Sequence, residues 1–134
     1  MEKEIQELIL QARNAREKAY APYSKFKVGA ALLTGTGKIY NGGNVENSSY
    51  GLSICAERVA ILKAVSAGEL KLKLMVIYTD TEELTSPCGA CRQVLSEFNP
   101  KLEVILVNKK GEMKALNLEK LLPEPFGFKK DDHD

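Results

Sequence analysis

The sequence predicts an α/β protein, a three-layer α/β/α sandwich around a central mixed five-stranded sheet. Three observations lead there. Helical stretches with regularly spaced apolar residues stop at a proline or a glycine. Two runs, Leu74 to Thr79 and Glu103 to Asn108, are apolar in the manner of strands buried on both faces. Strands and helices alternate along the chain, which argues for one sheet covered on both sides. A chain of 134 residues with 44% hydrophobic content has the size of one domain, residues 1–134, with no repeat or linker inside it.

The elements follow in order. Ile5, Leu8, Ile9, Ala12, Ala15 and Ala19 share a helical spacing, which predicts a first helix from about Glu2 to Ala19, ended by Pro22. Lys27 to Thr34 is rich in small and apolar residues, and Gly35-Thr36-Gly37 turns it into Lys38 to Val45; the pair reads as a β-hairpin. Ile54 to Ala67 returns to helical character with Gly68 as its stop, so Cys55 and Glu57 fall in its first turn. The run at Leu74 is the third strand. A helix then starts with Ser86 as cap and Pro87 at its first position, and Asn99-Pro100 ends it. The run at Glu103 is the fourth strand, Lys109-Lys110-Gly111 turns into a short fifth strand near Met113 to Leu116, and Leu118 to Leu122 is a short helix. Lys129 to Asp134 is all charged or histidine and reads as a frayed tail.

The 19 basic and 18 acidic residues nearly cancel, leaving a net charge of +1. That balance gives no overall attraction for nucleic acid, so small neutral substrates are the better expectation. No run is long enough to span a membrane, and the N-terminus Met1-Glu2-Lys3-Glu4 is not a leader pattern; a cytoplasmic protein is expected. Three cysteines that cluster in such a compartment point to metal or catalysis rather than disulfides.

The cluster consists of Cys55-Ala56-Glu57 and Pro87-Cys88-Gly89-Ala90-Cys91. Three thiolates can hold a zinc ion and leave its fourth tetrahedral position for water, while Glu57 stands ready to carry a proton. Cys88 and Cys91 are three apart on a helix and share a face, and Cys55 comes from another helix. Both helix N-termini favour thiolate over thiol. The formal charge of three thiolates on a divalent ion is negative, and Arg58 and Arg92, each next to a ligand, are candidates to draw charge from the sulfurs; the bland alternative for each is a solvated surface charge. Buried structural cysteines would not explain the C-x-x-C placement, and a redox dithiol at Cys88 and Cys91 would leave Cys55 and Glu57 idle. A closed structural zinc site needs a fourth ligand, and the sole histidine, His133, lies in the charged tail.

Tyr23-Ser24-Lys25-Phe26-Lys27-Val28-Gly29-Ala30-Ala31, Gly43-Asn44-Val45-Glu46-Asn47, Cys55-Ala56-Glu57-Arg58 and Pro87-Cys88-Gly89-Ala90-Cys91-Arg92-Gln93 resemble the small, homotetrameric, zinc-dependent type of cytidine deaminase. The likeness spans about Ala21 to Phe126. It implies one zinc per chain on Cys55, Cys88 and Cys91, and hydrolysis of cytidine and deoxycytidine to uridine and deoxyuridine with release of ammonia, in pyrimidine salvage. Glu57 then carries water's proton to the ring N3 and helps deliver one to the departing amine. By the same resemblance Asn44 and Glu46 hold the ribose hydroxyls, Phe26 packs on the pyrimidine, and Ala56 belongs to the substrate site. The resemblance also implies a homotetramer in which Tyr50 and Phe126 reach the site of a neighbouring subunit. The residues alone leave alternatives: Asn44 as a turn residue, and Phe26, Tyr50 and Phe126 as core aromatics. A deaminase for blasticidin-type aminopyrimidine nucleosides shares the cysteine motifs, and a non-enzymatic zinc-stabilised binding module would leave Glu57 without work.

Overall fold

In the computed structural model, which describes residues 2–128, the expected helices and strands form in the expected order. The tail from Lys129 to Asp134, and with it His133, lies outside the described residues. The helices are α1 (Glu2–Glu17), α2 (Ala56–Ser66), α3 (Gly89–Phe98) and α4 (Leu118–Leu121). The strands are β1 (Val28–Thr34), β2 (Ile39–Gly43), β3 (Leu72–Thr79), β4 (Glu103–Val107) and β5 (Met113–Asn117). A short 3-10 turn at Tyr50–Leu52 has no counterpart in the sequence reading. No helix of the described residues is long and apolar enough to cross a membrane.

The strands make one sheet in the order β2-β1-β3-β4-β5. Only β3 and β4 run parallel; the other neighbours are antiparallel, so the sheet is mixed. Helix α1 covers one face, where Leu8 and Ala12 pack on Ala31, Leu33, Leu74, Val76 and Ile105. The opposite face packs Leu32, Met75, Ile77 and Val104 against Ala60, Ile61 and Ala64 of α2, Leu95 of α3 and Leu118 of α4. Strand β1 is buried at every position, because its two faces serve two cores.

Helix ends differ from the sequence reading where hydrogen bonds compete. Helix α1 stops at Glu17 rather than Ala19: the chain tightens through Lys18 N to Ala15 O and Ala19 N to Arg16 O, after which Tyr20 N donates to Asn44 O. Helix α3 starts at Gly89, with Cys88 in the cap position, not with Ser86 as cap and Pro87 inside. The Arg92 Nε takes the Pro87 carbonyl at 2.8 Å and its Nη2 takes Ser86 Oγ at 3.1 Å, which holds those residues outside the helix. Likewise α2 starts at Ala56 with Cys55 as its cap residue. Gly68 ends that helix as expected, at a φ of 88°.

The sheet directions position the site. Both β2 and β3 are antiparallel to β1, so they run the same way and end at the same edge. The helices that follow them, α2 and α3, therefore start at that edge, on one face and in contact. Close packing of α1 on β1 needs Gly29: a Cβ there would stand 1.9 Å from the Ala12 carbonyl oxygen and 2.7 Å from Arg16 N. Since both obstacles are backbone, α1 would have to shift. Gly29→Ala is expected to lower unfolding free energy by about 1–3 kcal/mol, as overpacking does, which chemical denaturation with an unchanged m-value would register; a wild-type midpoint would refute the packing argument.

Candidate metal centre

Cys55 and Cys88 each sit in extended conformation at a helix N-terminus, and Cys91 lies one turn into α3. Their sulfurs all lie within 4.8 Å of one another, with Cys55 and Cys88 3.7 Å apart and Cys88 and Cys91 3.5 Å apart. Tetrahedral zinc with Zn–S bonds of about 2.3 Å requires sulfurs about 3.8 Å apart. Two of the three separations lie close to that value and the third is within 4.8 Å, so the three cysteines suit such an ion. They form the only group of three or more such ligands among the described residues, so the fourth position has no protein ligand there.

The electrostatics of the cluster are coupled. The Cys55 thiol is held down to about 5, first by a hydrogen bond from the Cys91 thiol and then, against the opposing effect of burial, by the Arg58 guanidinium and Cys88. Cys91 is pushed the other way, because it keeps the shared proton next to Cys55 and is buried near Glu57. The Glu57 carboxyl is 5% exposed, and burial raises it to about 7; the charge of Cys55 adds to the rise, while its own N–H and the Cys91 thiol oppose it. A carboxyl in that range takes up and gives back a proton at neutral pH.

The two arginines part company. Arg58 Nη2 donates to Cys55 Sγ at 3.7 Å, where its positive charge lies against the ligand sulfur. Arg92 is turned to oxygen instead: besides Pro87 and Ser86 it holds the Leu121 carbonyl at 3.0 Å. Of the two arginines only Arg58 is placed against a cysteine sulfur, whereas Arg92 braces the chain leading into Cys88 and ties it to α4.

A second group forms where the chain passes Tyr20, Val45 and Ile54, which are joined by isolated bridges. The Glu46 carboxylate accepts from Tyr23 N at 3.0 Å, from Ser24 N at 3.1 Å and from the Ser24 hydroxyl, and these bonds lower its pKa, the hydroxyl most. Asn44 clamps the start of β1, with Oδ1 accepting from Val28 N and Nδ2 donating to Phe26 O, both at 2.9 Å. Tyr23, Ser24, Glu46, Tyr50 and Ser53 line a cavity of about 380 Å³, and Ser53 is two residues from Cys55. The Tyr23 and Tyr50 rings meet edge to face at 6.1 Å.

Phe26, Tyr50 and Phe126 are not core residues: they are 42%, 75% and 70% exposed. Ala56 is fully buried between Cys55 and Glu57. Two participants were not assigned from the sequence. Ser24 links Glu46 to Phe26, and the serine two residues before the amide it accepts is the visible signal of such a turn. Gln93 pairs its amide with the backbone of Phe126, through Nε2 to O at 2.7 Å and Oε1 from N at 3.3 Å, across a separation no local pattern reveals.

Residues 2–107 match the cytidine and deoxycytidylate deaminase zinc-binding region. A cytidine deaminase of Sporosarcina psychrophila is 51% identical over 92% of this chain and 91% of its own. The crystal structure of cytidine deaminase from Burkholderia pseudomallei superposes with a TM-score of 0.86 at 49% identity, covering 90% of this chain and 98% of that one. A blasticidin-S deaminase of Bacillus cereus is 32% identical over 75% of this chain and 76% of its own.

Proposed function

This chain belongs to the cytidine and deoxycytidylate deaminase family, and from that premise we propose that it hydrolyses cytidine and deoxycytidine to uridine and deoxyuridine, releasing ammonia. One observation carries the reading: three cysteine sulfurs within 4.8 Å of one another, with no fourth protein ligand among the described residues, and the buried Glu57 carboxyl beside them, which burial raises to about 7. Zinc, one ion per chain, would supply the Lewis acidity that makes a water acidic near neutral pH.

The residues of the chain do the rest. Glu57 takes a proton from water, donates it at N3 of the cytosine ring, and carries a second proton to the exocyclic N4 as the C4–N4 bond breaks. Oxygen ends on C4 and ammonia leaves. Arg58, against Cys55 Sγ, moderates the charge of three thiolates so that the metal stays an effective Lewis acid. Phe26 offers an exposed ring for the base, Ala56 closes the floor beside the cage, and Asn44 and Glu46 receive the sugar hydroxyls. Glu46 also supports a ribose substrate over a blasticidin-type one, as does the higher identity to cytidine deaminases.

We read residues 1–134 as one deaminase domain that works as a homotetramer in cytoplasmic pyrimidine salvage. Exposed Tyr50, Phe126 and Phe128 support shared sites, as does an apolar groove along α2 that includes Val45, Ile54, Val59 and Leu62. Light scattering should give four times the 14.8 kDa chain mass, and a monomer with full activity would contradict subunit sharing. Glu57→Gln is expected to keep its zinc while cytidine turnover falls at least ~10²-fold, the lower end for a positioned acid–base group. A zinc-loaded Glu57→Gln protein with wild-type turnover would remove Glu57 from the proton transfers, whereas a wild type that binds zinc and releases no ammonia from cytidine would remove the enzyme reading and favour a zinc-stabilised binding module.

A further inference from the structure

Phe26 needs an explanation for its placement, because a ring that is 42% exposed is not fixed by packing. The residue before it, Lys25, has a φ of 62°, the one positive value at a non-glycine among the described residues. An L-residue avoids that region because its Cβ crowds the following carbonyl, so the turn must be enforced from outside. Three contacts enforce it. Lys25 N donates to Ala21 O at 3.0 Å, Phe26 N donates to Ser24 Oγ at 3.0 Å, and Phe26 O accepts from Asn44 Nδ2 at 2.9 Å. The Ser24 hydroxyl is itself committed, since it donates to Glu46.

We propose that Ser24 is a positioning residue for nucleoside recognition: one hydroxyl, donating to the Glu46 carboxylate and accepting from the Phe26 N–H, sets the sugar-facing acid and the base-facing ring together. The proposal rests on the reading of the protein as a cytidine deaminase. A hydroxyl is the side-chain group suited to this place. It gives one proton and receives another, whereas a carboxylate would repel Glu46 and a methyl would satisfy neither neighbour.

The same network limits how Glu46 meets a sugar. A carboxylate offers about four acceptor positions, and Tyr23 N, Ser24 N and the Ser24 hydroxyl occupy three of them. One remains to take a sugar hydroxyl, and its direction is fixed by the three bonds already made. Ser24 and Glu46 face the same cavity with Tyr23, Tyr50 and Ser53, so the fixed acceptor opens onto space a sugar can enter. Without the hydroxyl, the second carboxylate oxygen loses its partner, Tyr23 N and Ser24 N hold only the first, and the Phe26 N–H loses its acceptor above a left-handed Lys25.

Steady-state kinetics on the full-length, zinc-loaded protein test this. Ser24→Ala is expected to raise KM for cytidine roughly tenfold, the scale of losing one hydrogen bond to a charged group, with kcat within about threefold of wild type. Ser24→Thr, which keeps the hydroxyl, returns KM to near the wild-type value. Ser24 is exposed on a surface turn, so zinc content and the melting transition should stay those of a folded protein. A Ser24→Ala protein with unchanged KM overturns the proposal, as does one whose loss lies in kcat or zinc content with KM unmoved, or a Ser24→Thr protein as impaired as Ser24→Ala. These outcomes leave the deaminase reading standing as long as wild type converts cytidine; a wild type without that activity overturns both.

Discussion

The structure depends on two helix N-termini meeting at one edge of the sheet. Strands β2 and β3 run the same way because each is antiparallel to β1, and that shared direction delivers the starts of α2 and α3 to one place on one face. The positive ends of two helices stabilise anions there, so the thiols of Cys55 and Cys88 occupy the cap positions where serine or aspartate ordinarily stands. Neither sulfur spends itself on capping hydrogen bonds. They face each other instead, 3.7 Å apart, at a spacing suited to zinc.

Burial sets the state of Glu57, and the anionic sulfur beside it adds to the effect. It is 5% exposed, so charging its carboxyl meets first desolvation and then the charge of the Cys55 sulfur. The result is an acid that changes state near neutrality, one residue beyond Ala56 and next to the cage. Arg58 works against the same accumulation of charge by lying on Cys55. Arg92 contributes mechanically: its three contacts hold Ser86, Pro87 and Leu121, which keeps Cys88 extended and out of the helix it would otherwise join.

Much of this was legible in the sequence, and the rest was hidden for physical reasons. The strands were readable because β1, β3 and β4 are buried nearly throughout, and continuous apolar runs report that burial directly. The gathering of Cys55, Cys88 and Cys91 beside Glu57 was readable because residue type and spacing place them at helix starts. The start of α2 was displaced to Ala56 because Ile54 is held in a bridge with Val45, and that of α3 to Gly89 because Ser86 and Pro87 look like a cap and first turn until a side chain five or six residues on takes their oxygen atoms. The roles of Arg92, Gln93 and Ser24 depend on contacts across the fold, to Leu121, Phe126 and Glu46, and separations of more than twenty residues leave no periodic trace. The exposure of Phe26, Tyr50 and Phe126 was hidden too, because an aromatic side chain reads the same in a core as at a binding surface.

Metal held by the three cysteines, with one position left to solvent, has a direct spectroscopic signature. X-ray absorption at the zinc edge of the loaded protein measures this directly. The structure predicts three sulfur scatterers at about 2.3 Å and one light atom at about 2.0 Å, with the light atom lost or replaced when a transition-state analogue of cytidine hydration is added. Four sulfur scatterers, or an imidazole pattern that disappears with His133→Ala, would mean a closed site and would contradict the account.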